Sequence, residues 1–128
     1  MELEKLNLIT EKIIGCAINV HRILGPGLLE KIYENALCVE FELNNIKFER
    51  QLIVPVMYKN RKIGEHRLDI LVENEIVVEL KAINEIHPIF EAQILSYLKM
   101  SGKKIGLIIN FNNLLLKDGS KRIIVSGN

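Results

Sequence analysis

The chain has 128 residues, 48% of them hydrophobic, which suits one compact core and leaves no room for a second, so one domain over residues 1–128 is expected. Its 17 basic and 16 acidic residues leave a formal charge of +1, so no global basic field marks a polyanionic partner, although local patches remain compatible with one. No apolar stretch approaches the ~18 residues that span a bilayer, and the start Met-Glu-Leu-Glu-Lys lacks the basic-then-apolar pattern of a signal peptide. The expected setting is cytoplasmic, with no membrane partner.

Leu6, Ile9, Ile13, Ala17, Val20 and Leu24 recur every three or four positions, the spacing of an amphipathic helix, and Gly25-Pro26-Gly27 stops it. A second helix is expected from Gly27 or Leu28 to about Leu43, with Leu29, Ile32, Tyr33, Ala36, Leu37 and Phe41 on its apolar arc. Leu52 to Tyr58, Ile63 to Val72 and Ile76 to Ala82 then read as three strands of an antiparallel meander. Pro88 suits the first turn of a third helix that ends at Ser101-Gly102. Ile105 to Phe111 is apolar throughout, as in a strand buried on both faces, and a strand after a crossover helix pairs in parallel. Leu114 to Lys117 and Lys121 to Val125 flank Asp118-Gly119 as a terminal hairpin. Cys16 and Cys38 lie among apolar residues without metal-ligand spacing, and buried reduced thiols are expected rather than a disulfide.

The second and third strands hold the chemistry. If Glu73, Asn74 and Glu75 form a three-residue connection, Val72 faces Ile76, Asp69 faces Glu79 and Arg67 faces Lys81. Opposed residues have Cβ atoms roughly 5 Å apart, so two carboxylates placed this way repel and need a proton, a cation or a basic neighbour. Alternation puts Glu79 and Lys81 on one face and Val78 and Leu80 on the other. From these residues alone, an Asp69-Lys81-Glu79 ion network and a metal-dependent active site stand level.

The order helix, meander, helix, strand, with Asp69 in the second strand and Glu79-Leu80-Lys81 in the third, resembles the PD-(D/E)XK nuclease superfamily. More narrowly it is similar to the GxxExxY family, whose naming motif stands here as Gly27-Leu-Leu-Glu30-Lys-Ile-Tyr33. The likeness continues through Arg67-Leu-Asp69, Gln93-Ile-Leu-Ser-Tyr97 and Gly106-Leu-Ile-Ile-Asn-Phe111, and covers about residues 13–125. It departs at Phe90, where many relatives carry a histidine, so that any such role is absent or falls to His87.

The resemblance implies an α/β (α+β) fold with a restriction-endonuclease-like core: a mixed central sheet with an antiparallel meander, flanking helices and a parallel strand after the crossover helix. It implies a nuclease that hydrolyses phosphodiester bonds, with DNA as the expected nucleic acid and Mg²⁺ as cofactor, Mn²⁺ being a possible substitute. Asp69, Glu79, the Leu80 carbonyl and Glu30 are then the metal ligands, and Lys81 polarises or deprotonates water or contacts phosphate. Gln93, one turn before Tyr97 on the same face, has an auxiliary role in the catalytic set.

Beside these stand plainer readings. Glu30 suits a helix first turn, Tyr33 belongs to the core with its hydroxyl on a partner such as Glu30, and Arg67 binds phosphate or Glu65. His21 and His66 have no ligand spacing, which disfavours zinc. A catalytically silent nucleic-acid-associated or protein-interaction module is the alternative function, and a homodimer or partner subunit could extend so small a domain.

Overall fold

In the computed structural model, which describes residues 2–125, the chain folds as α1 (Glu2–Leu24), α2 (Glu30–Leu43), β1 (Phe48–Tyr58), β2 (Arg61–Val72), β3 (Ile76–Lys81), α3 (Pro88–Ser101), β4 (Ile105–Asn110), α4 (Leu116–Gly119) and β5 (Ser120–Ile124). The strands form one mixed sheet in the order β1-β2-β3-β4-β5, with β3 and β4 parallel and the other pairs antiparallel. This is the expected α/β architecture.

Helices cover both faces, which is why the central strands β3 and β4 are apolar on both sides. α1 and α2 pack Ile13, Val20, Tyr33 and Leu37 against Ile70, Val78, Leu80 and Ile109. On the opposite face, Ile94 and Leu98 of α3 meet Leu68, Leu71, Val77 and Ile108. Gly106 permits this approach, since a Cβ there would lie 2.7 Å from Ile94 Cδ1. His87 caps α3 by accepting the Ile89 N–H on Nδ1 at 3.1 Å.

Several expected boundaries move. α2 starts at Glu30 rather than at Gly27 or Leu28, because Gly25 (φ 72°) and Gly27 (φ 100°) adopt left-handed conformations that prolong the connection. The Tyr33 hydroxyl clasps this connection, donating to the Gly25 carbonyl at 2.6 Å and accepting the Leu28 N–H at 3.1 Å, so Glu30 is not its partner. Its ring stacks on Phe111 with centroids 4.5 Å apart. The terminal hairpin does not form: residues 116–119 coil into a helical turn and β5 instead pairs with β4. A Cβ at Gly119 would strike the Asn110 carbonyl and the Asn113 side chain, so the chain turns closely against the end of β4 at that point.

The β1–β2 ribbon changes face where the site begins. Phe48 packs toward α1 and α2, whereas Leu52 and Val54 lie on the α3 side; on β2, Ile70 and Leu68 divide in the same way. Two even-numbered residues of one regular strand would share a face. The break falls at Gln51, which has φ 54° and stands opposite Asp69 at the one position between Phe48 and Val56 where the β1–β2 ladder lacks a pair.

Candidate active site

The turn at residues 73–75 sets the register as expected, with Val72 opposite Ile76, Leu71 opposite Val77 and Ile70 opposite Val78. The ladder stops there. One step further, Asp69 Oδ2 accepts the Leu80 N–H at 2.8 Å, and Glu79 Oε1 accepts the Asp69 N–H at 3.3 Å. In a continuing antiparallel ladder the Leu80 N–H would meet a β2 carbonyl, so here a side-chain carboxylate takes a backbone position and the strands part. Arg67 therefore does not face Lys81; it pairs with Ile53 on β1 and is exposed.

The two carboxyl groups crowd each other in a dry place. Burial pushes Glu79 up to about 8, and the adjoining Asp69 adds to the shift. Burial also raises Asp69, against the opposing Leu80 N–H, with Glu34 contributing a further upward push. The pair favours holding a proton near neutrality because a buried carboxylate and its half-buried like-charged neighbour resist ionising together without a cation.

Lys81 does not supply that cation by direct contact. Among the described residues it forms no salt bridge, and its Nζ lies 4.4 Å from the centroid of the Phe90 ring. An Asp69-Lys81-Glu79 ion network is thus not formed. The aromatic face holds the ammonium out of salt-bridge range, a contact worth about 0.5–2 kcal/mol, and from there its charge opposes the upward shifts of both carboxyls without outweighing burial. Phe90 fills the position where a histidine was expected, and His87 cannot stand in for it because its ring caps α3.

The acidic residue that α2 sends toward the sheet is Glu34 rather than Glu30. Glu30 is exposed, whereas Glu34 is buried, one turn further along the same helix face. Its carboxylate takes Arg50 Nη2 at 2.7 Å, Arg50 Nε at 2.9 Å and Gln51 Nε2 at 3.0 Å. Consecutive strand residues normally point to opposite faces; the left-handed backbone at Gln51 lets both reach one carboxylate. No local sequence pattern distinguished the two glutamates, since both lie on one helical stripe.

On the opposite side, Gln93 is exposed at the rim and makes no hydrogen bond among the described residues, so the structure does not bring it into contact with the carboxyl pair. Tyr97, its neighbour at i+4, stacks on His66 with ring centroids 3.3 Å apart and planes inclined by 16°. Burial raises Tyr97, helped by nearby Glu79, and burial lowers His66, helped by Lys81 and opposed by Asp69. His66 Nε2 is buried without a partner among the described residues. Neither its stacking nor its isolation had a signal in the sequence. His21 serves elsewhere, with Nε2 2.7 Å from the Asn113 carbonyl oxygen.

The donor chemistry fits a hard divalent cation in part. Asp69 and Glu79 each keep a carboxyl oxygen beyond the one used by a backbone N–H. The carbonyls of Lys81 and Leu80 face opposite ways along β3: Lys81 accepts the Phe111 N–H at 2.9 Å on the β4 side, which leaves the Leu80 carbonyl toward the gap at Asp69. No group of three or more His, Cys, Asp or Glu side chains suited to a metal occurs among the described residues, so two carboxylates and a carbonyl are the available protein ligands. Such a sparse oxygen set suits a cation that retains several waters.

A family model of the PD-(D/E)XK nuclease superfamily matches residues 7–123. No curated protein and no solved structure matches the chain. The match spans nearly the whole sequence, and its strand–strand–helix core contains the gap occupied by Asp69 and Glu79: the chain belongs to the PD-(D/E)XK nuclease superfamily.

Proposed function

We propose that this chain is a divalent-metal-dependent nuclease of the GxxExxY type that hydrolyses phosphodiester bonds in DNA. The observation that carries the reading is the close pairing of buried Glu79 with half-buried Asp69, each carboxyl accepting a backbone N–H from the other's strand, beside a half-buried Lys81 that forms no salt bridge among the described residues. A purely structural ion network would have joined these groups.

Asp69, Glu79 and the Leu80 carbonyl would hold Mg²⁺, with Mn²⁺ as a substitute. Bound there, the ion would supply charge neutralisation at the phosphate and acidify a water. Lys81, kept from the carboxylates by Phe90, orients the attacking water or a phosphate oxygen. Tyr97 and Phe90 exclude bulk water from the α3 side. Glu34 acts through position, holding Arg50 and Gln51 so that the backbone opposite Asp69 stays open. Exposed Glu30 and Gln93 would act only at the rim, on substrate or through water.

The direct test incubates purified protein with plasmid, linear and single-stranded DNA and with RNA in Mg²⁺ or Mn²⁺, beside Asp69→Ala and Lys81→Ala. Cleavage of DNA that both substitutions abolish is expected. Equal activity in all three proteins would reveal a contaminant and sink the assignment, and metal binding without cleavage would leave the silent nucleic-acid-associated module.

A further inference from the structure

The β1–β2 ribbon outruns the rest of the sheet. β3 pairs with β2 only as far as Ile70, whereas the ladder between β1 and β2 continues to Tyr58 opposite Arg61. From Pro55 outward both strands are mostly exposed, and Met57, Tyr58 and Ile63 are 54%, 60% and 65% exposed. Four residues at ~3.4 Å each give the projecting ribbon a reach of about 14 Å. Lys59 and Asn60 close it with left-handed conformations at both positions, a tight two-residue turn matched to the twist of the strands.

Its chemistry is one-sided. Lys59, Arg61 and Lys62 fall within four positions, and no acidic residue occurs from Gln51 to Gly64. Lys62 shares a 3.4 Å ion pair with Glu65 at the base, while Lys59 lies 5.6 Å from the Tyr58 ring centroid and Arg61 has no acidic partner among the described residues. A free apolar ribbon would invite pairing with another sheet edge; this one carries basic residues at its end, which oppose such pairing and favour a polyanion.

The base of the ribbon lies on the face of the carboxyl pair. Val54 packs in the α3-side core and alternation keeps Val56 on that face; between Val56 and Met57 the register shifts at a bulge, beyond which Tyr58 stands opposite Arg61. Glu79 and Lys81 lie on the same face, as shown by Val77 in that core and by Lys81 over Phe90.

We propose that residues 55–65 form a wing that binds double-stranded DNA, with Lys59, Arg61 and Lys62 on phosphates and the ribbon in the major groove; this rests on the nuclease reading above. The major groove of B-form DNA, about 12 Å wide, admits a two-stranded ribbon, whereas the corresponding groove of duplex RNA is too deep and narrow for side chains to read. The wing concentrates three basic residues at one end of a ribbon on a chain whose net charge is only +1.

The test measures fluorescence anisotropy of a labelled 20-base-pair DNA duplex in Ca²⁺ at several salt concentrations. Proteins are wild type, the Lys59→Ala/Arg61→Ala/Lys62→Ala triple variant, a Lys59→Arg/Lys62→Arg variant and Asp69→Ala. The triple variant should bind at least roughly tenfold more weakly and lower the salt slope by about 2–3, while the arginine variant keeps wild-type affinity. Duplex RNA and single-stranded DNA of equal length should bind wild type more weakly than duplex DNA. Unchanged duplex binding by the triple variant, or equal affinity for duplex RNA, would overturn the wing and leave the nuclease reading untouched. Wing-dependent binding by a wild type that cleaves nothing would instead defeat that reading alone. Circular dichroism checks that the exposed substitutions leave the fold intact.

Discussion

Glu79 accepts the backbone N–H of Asp69 at 3.3 Å, while Asp69 accepts the backbone N–H of Leu80 at 2.8 Å. Each carboxyl group thus fills a hydrogen-bonding place that a continued ladder would give to the main chain. The strands stay joined at the point where they part, and the two acids are trapped together.

This trap should make stability depend on pH. Glu79 has a folded value raised from 4.5 to about 8, so the folded state binds a proton more tightly than the unfolded chain. Its stabilising contribution is full below about 4.5 and is lost as pH rises toward 8, with a limiting slope of about 1.4 kcal/mol per pH unit for one proton. Thermal unfolding in chelator from pH 5 to 8 should show this decline, and Glu79→Gln should flatten it. A steeper decline in Glu79→Gln than in wild type would contradict the assignment.

Divalent cations should displace that proton. Calorimetric titration with Mg²⁺ or Mn²⁺ should show apparent affinity rising between pH 6 and 8 by up to about tenfold per unit, with proton release seen as a heat that varies with buffer ionisation enthalpy. Asp69→Ala and Glu79→Ala should each abolish the site. Binding of equal strength at both pH values would mean that the cation sits elsewhere.

Removing Glu34 should damage the site from a distance. Glu34→Ala takes the acceptor of half-buried Gln51 and one of the two acceptors of exposed Arg50, which keeps Asn35 Oδ1, and should cost about 1–2 kcal/mol in urea unfolding. Where the protein stays folded, cleavage should fall with Asp69 and Glu79 still present, because the backbone opposite Asp69 loses its tether. An unaltered cleavage rate in a folded Glu34→Ala protein would remove it from the site.

Gly106 can be tested against the helix it admits. Gly106→Ala should destabilise by about 1–3 kcal/mol, because its Cβ would lie 2.7 Å from Ile94 Cδ1. Ile94→Val deletes that carbon, so the double variant should recover part of the loss. A double-mutant cycle in urea with no coupling would show that α3 yields elsewhere.

The local patterns of this sequence determined its elements and the meeting of its two central acids. Apolar periodicity marked α1, α2, α3 and the four strands from β1 to β4, since period and length differ between helix and strand. Counting across residues 73–75 placed Val72 opposite Ile76, because hairpin register is a local property of the turn. The same counting failed two steps past Asp69, where a side chain replaced a backbone partner and Arg67 and Lys81 separated. Local pattern also misjudged residues 116–119, whose turn is set by close approach to β4.

Only the tertiary structure decided which glutamate of α2 is buried, that Lys81 rests on Phe90 rather than on the acids, and that His66 lies against Tyr97. Each depends on residues distant in the chain meeting across a sheet that changes face at Gln51. That turn is a left-handed backbone at a non-glycine residue, which intrinsic preference disfavours and which Glu34 helps to hold from another element.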